Sequence, residues 1–392
     1  MKSAAEATGA TAPFFAMPSL RAPTPVLRAA MMVGVACFLG AVLTGIWRLA
    51  ATRGFPVPPV PAAWPPHGHW MVGGFLAVLI MVERMTALPP GWLAWVPFVY
   101  AFGTLTVHMG WAVARGAVIL GLLGWTVHRL RAVRVYRASE KPLIEVAALG
   151  LLTLAVTQPG GLVGRPDAAL AGLGAIASVI AVERLELLLR GRTLGPRLAW
   201  AGLLGWMALL AGSVLWGPLP LPLLGWATAL AMGAVLTHDA AVRAAVRVFR
   251  GGAGPATGGL PPLYGFLTKA LLGAYAWIGL GAALIVGWDA LPPATAKDMV
   301  YHAVGLGFIF TMILAHAPVI LPAVFGGAPV RRAPVALFWL FQTTTVLRLV
   351  GDAAVAKAPV LWAWTGWPTG LLHTILFGLY MAALVRQARR RC

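Results

Sequence analysis

The chain has 392 residues, of which 60% are apolar and 10% are charged, and its mean hydropathy is +0.83. This composition excludes an ordinary soluble globular protein. The formal net charge of +19 would suggest nucleic-acid binding if the chain were soluble. The only cysteines, Cys37 and Cys392, are too few for a disulfide framework, a CxxC metal site or an iron–sulfur cluster. Any metal chemistry would therefore depend on histidine or carboxylate ligands.

Apolar stretches that approach the length of a membrane-spanning helix, about 20 residues, recur along the chain between Pro/Gly turns and arginine clusters. They predict an all-α, polytopic membrane helix bundle that forms a single transmembrane domain over residues 26–388. Residues 1–25 are rich in Ala, Pro and Thr and are expected to form a disordered cytoplasmic tail. The twelve predicted spans are, in chain order, Ala29–Leu49, His69–Leu88, Trp92–His108, Ala112–Arg131, Leu143–Thr157, Asp167–Leu189, Leu198–Leu215, Leu221–Val242, Leu263–Trp288, Met299–Val324, Pro334–Val350 and Val360–Val385.

The basic residues are distributed unevenly between the two ends of these spans. If the chain begins inside the cell, most of its 30 Lys and Arg residues fall on the cytoplasmic side. The positive-inside rule then places both termini in the cytoplasm and favours an even number of spans. The net charge is accordingly interpreted as an orientation signal, so the lipid bilayer is the expected partner and nucleic acid is not.

Short sequence matches predict an internal repeat. Residues 78–88 read VLIMVERMTAL and residues 178–188 read SVIAVERLELL, at equivalent ends of the second and sixth spans. Residues 132–137 read AVRVYR and residues 245–250 read AVRVFR, where the fourth and eighth spans close. These two matches indicate a four-helix unit that is used twice.

A fainter third copy aligns His69 with His302 and Glu83 with His316. The alternative for this copy is chance similarity among apolar helices. Together the three copies predict repeat units at approximately 26–138, 139–251 and 262–388.

The eight histidines are the main functional candidates, because ionisable groups inside a bilayer are costly and are usually retained for function. The predicted topology divides seven of them into an outer group and an inner group. The alternative is that some are interfacial histidines hydrogen-bonded to backbone, and this is favoured for His128, which lies beside an arginine-rich loop. The outer group is His67, His69, His108 and His302, and the inner group is His238, His316 and His373.

The spacing between His302 and His316 is typical of haem-binding helices. Fourteen residues of α-helix rise about 21 Å and complete nearly four turns, so both imidazoles are expected to point the same way at two depths. Helices that hold two stacked haems in b-type cytochromes use this spacing, and imidazole also suits copper and zinc. The pattern predicts a binding site for haem b.

Two arginines near the outer surface, Arg115 and Arg348, are candidates for binding haem propionates. The alternatives are that Arg348 pairs with Asp352 one turn further on, and that Arg115 snorkels to the membrane surface. Glu83 and Glu183, each followed by arginine, are interpreted as members of structural ion pairs, with proton handling as a secondary hypothesis for Glu83.

Two segments carry a resemblance to a known family. The run Trp64-Pro-Pro-His67-Gly-His69 leading into a Gly-Phe helix, and the run from Tyr301 to Pro318, resemble the NnrS family. Members of that family are haem- and copper-containing proteins of the bacterial inner membrane, with twelve predicted spans, linked to nitric oxide and denitrification. The resemblance implies the same location and cofactors here, with a small gas such as nitric oxide and an electron donor as partners. It implies the metal ligands His67, His69, His302 and His316.

The sequence supports one main function and leaves two alternatives. The main hypothesis is a haem-binding membrane protein, with copper as an additional candidate cofactor, that acts in nitric oxide, nitrosative-stress or denitrification-related redox chemistry. The second is a multi-pass transporter without a redox cofactor, which the repeats and the Gly/Pro-rich helices favour, but for which the helices carry few carboxylates. A haem-copper oxidase or nitric oxide reductase is disfavoured, because no His-His pair lies on a later helix.

Overall fold

A computed structural model describes residues 25–52, 56–58, 67–88, 91–107, 112–136, 140–158, 162, 165–186, 194–239, 242–243, 262–325, 330, 332–354, 358, 360 and 365–389. Within these ranges the chain is all-helical and contains no strand. The predicted disordered tail and His108 lie outside the described residues.

The helices of the described part are numbered in chain order, and segments that follow one another without a break share a number. They are α1 (Pro25–Thr52), α2 (His69–Leu76 and Ala77–Ala87), α3 (Val96–Thr106), α4 (Ala112–Tyr136), α5 (Glu140–Thr157), α6 (Pro166–Glu186), α7 (Leu194–Trp216), α8 (Leu221–His238), α9 (Pro262–Val286), α10 (Pro293–His302, Ala303–Phe310 and Thr311–Phe325), α11 (Val335–Ala354) and α12 (Trp367–Arg389). A 3-10 turn at Gly91–Trp95 leads into α3.

Local sequence accounts for several helix ends. Proline occupies a first-turn position in α3, α8 and α10, where its missing N–H leaves no hydrogen bond unmade. Helix α7 is followed by Gly217, whose φ of 116° is a left-handed conformation that glycine adopts without a steric penalty.

Seven helices of the described part are long and apolar enough to cross a membrane: α1, α6, α7, α8, α9, α10 and α12. They identify a membrane protein. Helices α4, α5 and α11 carry charged residues along their length, and the α-helical stretches of α2 and α3 have only 11 residues each. The larger number of twelve spans stays a prediction.

Three helices, α2, α6 and α10, contact one another at the centre of the bundle. In the apolar stretch of α6, 94% of the residues are buried, compared with 33% in the corresponding stretches of α1, α8 and α12. Helix α6 is therefore the most interior of these helices. Four phenylalanines, Phe38, Phe75, Phe310 and Phe377, pack with ring centroids 5.0–6.3 Å apart and join α1, α2, α10 and α12. This arrangement places the residues of the predicted second, sixth and tenth spans side by side.

Helices α2 and α10 each contain an eight-residue π-helical segment, at His69–Leu76 and Ala303–Phe310. Such segments are rare and often occur at functional sites. In the alignment that matches His69 with His302, the two segments begin within one residue of each other. Helix α6, the corresponding helix of the second predicted repeat unit, is α-helical throughout and has no such segment. The internal repeat therefore stays a prediction.

Candidate functional site

One cluster of polar residues lies where α10, α11 and α12 meet, and we call it the His302 cluster: Asp298, His302, Arg348, Asp352 and His373. Arg348 Nε donates to Asp352 Oδ2 over 3.1 Å, and a second nitrogen donates to the Gly366 carbonyl oxygen over 3.0 Å. Asp298 Oδ2 lies 3.9 Å from the same guanidinium. The alternative in which Arg348 pairs with Asp352 is therefore confirmed.

His302 is held in a defined orientation within this cluster. Its Nδ1–H donates to the Asp298 carbonyl oxygen over 2.7 Å, one turn earlier in α10, and the Asp352 carboxylate lies 3.7 Å from the same nitrogen. In the described part of the chain, Nε2 of His302 makes no hydrogen bond. A histidine whose Nδ1–H is fixed in this way presents Nε2 as a metal ligand.

His373 belongs to the His302 cluster, which corrects its predicted place with His238 and His316. Its Nε2 lies 3.0 Å from Oγ1 of Thr345, whose hydroxyl already donates to the Phe341 carbonyl oxygen, so the imidazole is the donor in this pair. Thr345 lies three residues before Arg348 on α11, so His373 contacts the side of α11 that carries Arg348. The reason for the correction is that His373 lies in the second turn of α12, beside the C-terminal half of α11.

His316 does not point the same way as His302. Its Nδ1–H donates to the Met312 carbonyl oxygen over 2.7 Å, and its Nε2 accepts a hydrogen bond of 3.0 Å from Arg184 on α6. His302 instead faces Asp352 on α11. A π-helical turn takes up nearly one residue more than an α-helical turn, so the intervening segment changes the angle between the two imidazoles by on the order of 100–150°. The expectation of two haem ligands on one helix face is wrong for this reason.

The remaining predicted site residues are not brought together. His238 donates from Nδ1 to the Ala234 carbonyl oxygen within α8. His69 is buried and its Nε2 lies 3.4 Å from the Val156 carbonyl oxygen, whereas His67 is exposed in the same helical turn. Residues two apart on a helix face different directions, so His67 and His69 do not form the chelating pair that the His-Gly-His sequence suggested.

Two further single residues lie apart from the His302 cluster. Arg115 is exposed on α4, which packs mainly against α3 and α5, and its snorkelling to the membrane surface stays a prediction. His128 is buried, and its Nε2 donates to the Leu88 carbonyl oxygen over 2.9 Å, which confirms the structural interpretation.

A second cluster, which we call the Arg84 cluster, consists of Glu83, Arg84, Arg129, Glu145 and Glu183. Arg84 on α2 contacts Glu183 on α6 at 2.5 Å and Glu145 on α5 at 3.0 Å. The other oxygen of Glu145 contacts Arg129 on α4 at 2.5 Å. Glu83 lies 3.7 Å from Arg84. The prediction that Glu83 and Glu183 belong to ion pairs is confirmed, although the stronger pair joins two different helices.

Arg184 continues this network toward α8 and α9. Two of its nitrogens donate to the Asp239 carboxylate over 2.7 and 3.0 Å, and the Tyr275 hydroxyl donates to the same carboxylate over 3.1 Å. Glu145 and Asp239 have no exposed side-chain surface. Neither was singled out from the sequence, although a carboxylate inside an apolar helix, as at Glu145, is a signal that could have indicated it.

The fit of the predicted cofactors differs between the sites. A haem iron takes one or two protein ligands, and His302 offers a nitrogen suited to that role beside the cationic Arg348. At His316 the corresponding nitrogen is occupied by Arg184, so a second haem does not fit there. Within the described ranges no three His, Cys, Asp or Glu side chains converge as ligands of a metal ion, and His67 and His69 do not fit one shared copper ion.

Two small cavities lie among the core helices of the described part. One is lined by residues of α2, α4, α5 and α6 and the other by residues of α6 to α10, and histidine lines neither of them. Neither of these two cavities could therefore hold a haem bound by His302.

Comparison with known proteins gives a family and no named relative. No curated protein and no solved structure matches the chain. One family model matches residues 27–386, which include every described helix almost completely. The chain therefore belongs to the family described as Domain of unknown function (DUF8744).

Proposed function

We propose that this chain is an integral protein of the bacterial inner membrane that binds a haem through His302 and acts in redox chemistry of nitric oxide. The observation that carries the proposal is the orientation of His302, whose Nδ1–H is fixed by the Asp298 carbonyl oxygen while Nε2 makes no hydrogen bond in the described part. The resemblance of the segments around His67 and His302 to the NnrS family supports the same cofactor. The proposed topology has twelve spans, three four-helix repeats and both termini in the cytoplasm.

The other residues of the His302 cluster have defined roles in this proposal. Arg348 provides the positive charge that suits a propionate, and Asp352 limits its movement through the 3.1 Å hydrogen bond. His67 is exposed, and the resemblance to the NnrS family implies that it is a metal ligand, so it is the proposed second ligand. When bound, haem supplies an iron that binds a diatomic gas or exchanges electrons with a donor protein.

Absorbance spectroscopy and iron analysis of the full chain purified in detergent test the proposal. The expected result is a Soret band with one iron per chain, which His302→Ala abolishes. His238→Ala is the matched control, because His238 also bonds to its own helix backbone but lies outside the His302 cluster. Purified protein without a Soret band or stoichiometric iron would contradict haem binding, and equal loss in both variants would contradict the assignment to His302.

A second candidate function is solute transport without a redox cofactor. The observation that favours it is the burial of Glu145 and Asp239, since intramembrane carboxylates often couple ions to transport. The scarcity of such groups was the sequence argument against transport. This candidate predicts that the purified chain contains no iron and that reconstituted vesicles show solute flux. It also predicts that His302→Ala causes no change in the absorbance spectrum.

A further inference from the structure

The three central helices present matching positions at one end of the bundle. In the repeat alignment, Glu83 of α2 corresponds to Glu183 of α6 and to His316 of α10. The next residue is arginine in α2 and α6, but it is alanine, Ala317, in α10. We call the place where two of these helices meet at this end a junction, so there are three: α2–α6, α6–α10 and α10–α2.

At two of the three junctions, an arginine of one helix contacts a side chain of the other. Arg84 of α2 reaches across to Glu183 of α6 at 2.5 Å. Arg184 of α6 reaches across to Nε2 of His316 on α10 at 3.0 Å. Each arginine thus contacts the residue of the next repeat unit that aligns with the glutamate directly before that arginine.

In the described part of the chain, the third junction, from α10 back to α2, has no equivalent arginine. Ala317 is a buried small side chain, and the only Lys or Arg in α10 is Lys297, near the opposite end of the helix. Glu83 occupies the position that such an arginine would contact. Its side chain is 22% exposed, whereas Glu145, which also contacts Arg84, has no exposed surface.

The charges around Glu83 leave it the most weakly held carboxylate of the cluster. Among the described residues, the charged groups that act on it are Arg84 on its own helix, Glu183 on α6, and Glu145 and Lys141 on α5. Glu183 and Glu145 contact Arg84 at 2.5 and 3.0 Å, and Glu83 does so only at 3.7 Å. Lys141 interacts with both Glu83 and Glu183, so its single charge is shared. When closely spaced carboxylates compete for the same cations, the carboxylate that is held least closely is the one that takes up a proton.

We propose that Glu83 is a proton-binding site at the α2–α10 junction. There a proton neutralises Glu83, whereas at the other two junctions an arginine contacts the residue that aligns with Glu83. The Glu83 carboxylate binds one proton from the adjacent aqueous phase to become the neutral acid and releases it again as pH rises. The site does not depend on the haem proposal, because none of its residues belongs to the His302 cluster. It adds a proton-exchanging group to whichever function the membrane domain performs.

Labelling with a membrane-permeant carbodiimide, followed by peptide mass spectrometry, tests the site in the full chain in lipid vesicles. The reagent modifies carboxyl groups that are protonated and not ion-paired. The expected result is modification of Glu83 and not of Glu183, with a yield that falls as pH rises, and loss of that product in Glu83→Gln. Equal or greater modification of Glu183, or no modification at either residue, would overturn the proposal.

The variant Ala317→Arg supplies the missing arginine at the third junction. It should reduce labelling of Glu83 about tenfold, the effect of an ion pair that contributes about 1.4 kcal/mol. Ala317→Gln is the matched control, because it adds similar bulk without charge and should leave the labelling unchanged. If Ala317→Arg folds and Glu83 is still labelled as in the wild type, the proposal is wrong. If that variant does not fold, the comparison of Glu83 with Glu183 in the wild type decides.

Discussion

Replacing Glu145 by Gln should strongly destabilise the membrane domain. The Glu145 side chain has no exposed surface, and its two oxygens contact Arg84 at 3.0 Å and Arg129 at 2.5 Å. The amide removes the negative charge between two guanidinium groups that are themselves buried. Breaking a buried ion pair by removing one partner costs about 3–5 kcal/mol, because it leaves an uncompensated charge in a medium of low dielectric constant. Arg84 retains Glu183, so we expect the lower part of that range.

The loss of stability can be measured by unfolding the detergent-solubilised chain with increasing SDS, followed by the fluorescence of its 17 tryptophans. Asp289→Asn is the matched acid-to-amide control, because Asp289 is exposed and should change the free energy of unfolding by less than about 0.5 kcal/mol. Adding Arg129→Gln to Glu145→Gln should recover part of the loss, since it removes one of the two unbalanced charges. If Glu145→Gln has no larger effect than Asp289→Asn, the Arg84 cluster does not stabilise the fold as inferred.

Two further changes examine the packing of the central helices by the same unfolding measurement. Gly307→Ala should destabilise by about 1–3 kcal/mol, because the new Cβ would lie 2.6 Å from the Trp277 ring; Gly305→Ala, which meets no atom within 4 Å, is the control and should not destabilise. Tyr275→Phe should cost about 1.5–3 kcal/mol, because it removes the 3.1 Å hydrogen bond to the buried Asp239 carboxylate, and an unchanged free energy would contradict that bond.

The features that the sequence could predict are those determined by neighbouring residues in the chain. The membrane character follows from composition, and helix α1 at Pro25–Thr52 contains the predicted span Ala29–Leu49. The pairing of Arg348 with Asp352 was among the alternatives considered, because residues four apart lie on the same face of a helix. Each of these features depends on local geometry, so it can be predicted without knowing which helices are neighbours.

The ion pairs of the Arg84 cluster could not be predicted in the same way. Arg84 and Glu183 are 99 positions apart, and their contact depends on the packing of α2 against α6. The repeat of Val-Glu-Arg indicated that the two segments are equivalent, but equivalence alone does not say that the arginine of one contacts the glutamate of the other. The sequence therefore identified the residues and left their partners undetermined.

The π-helical segment of α10 explains the error at His302 and His316. A choice between i→i+4 and i→i+5 hydrogen bonding has no simple sequence signal, because it depends on how neighbouring helices pack. At Gly307 the Trp277 ring approaches so closely that even a methyl group would not fit. Helix α2 carries a matching segment between His69 and Glu83. In α10 the segment turns His316 away from the side that His302 faces, toward Arg184 on α6. The departure from α-helical geometry thus separates His316 from the His302 cluster.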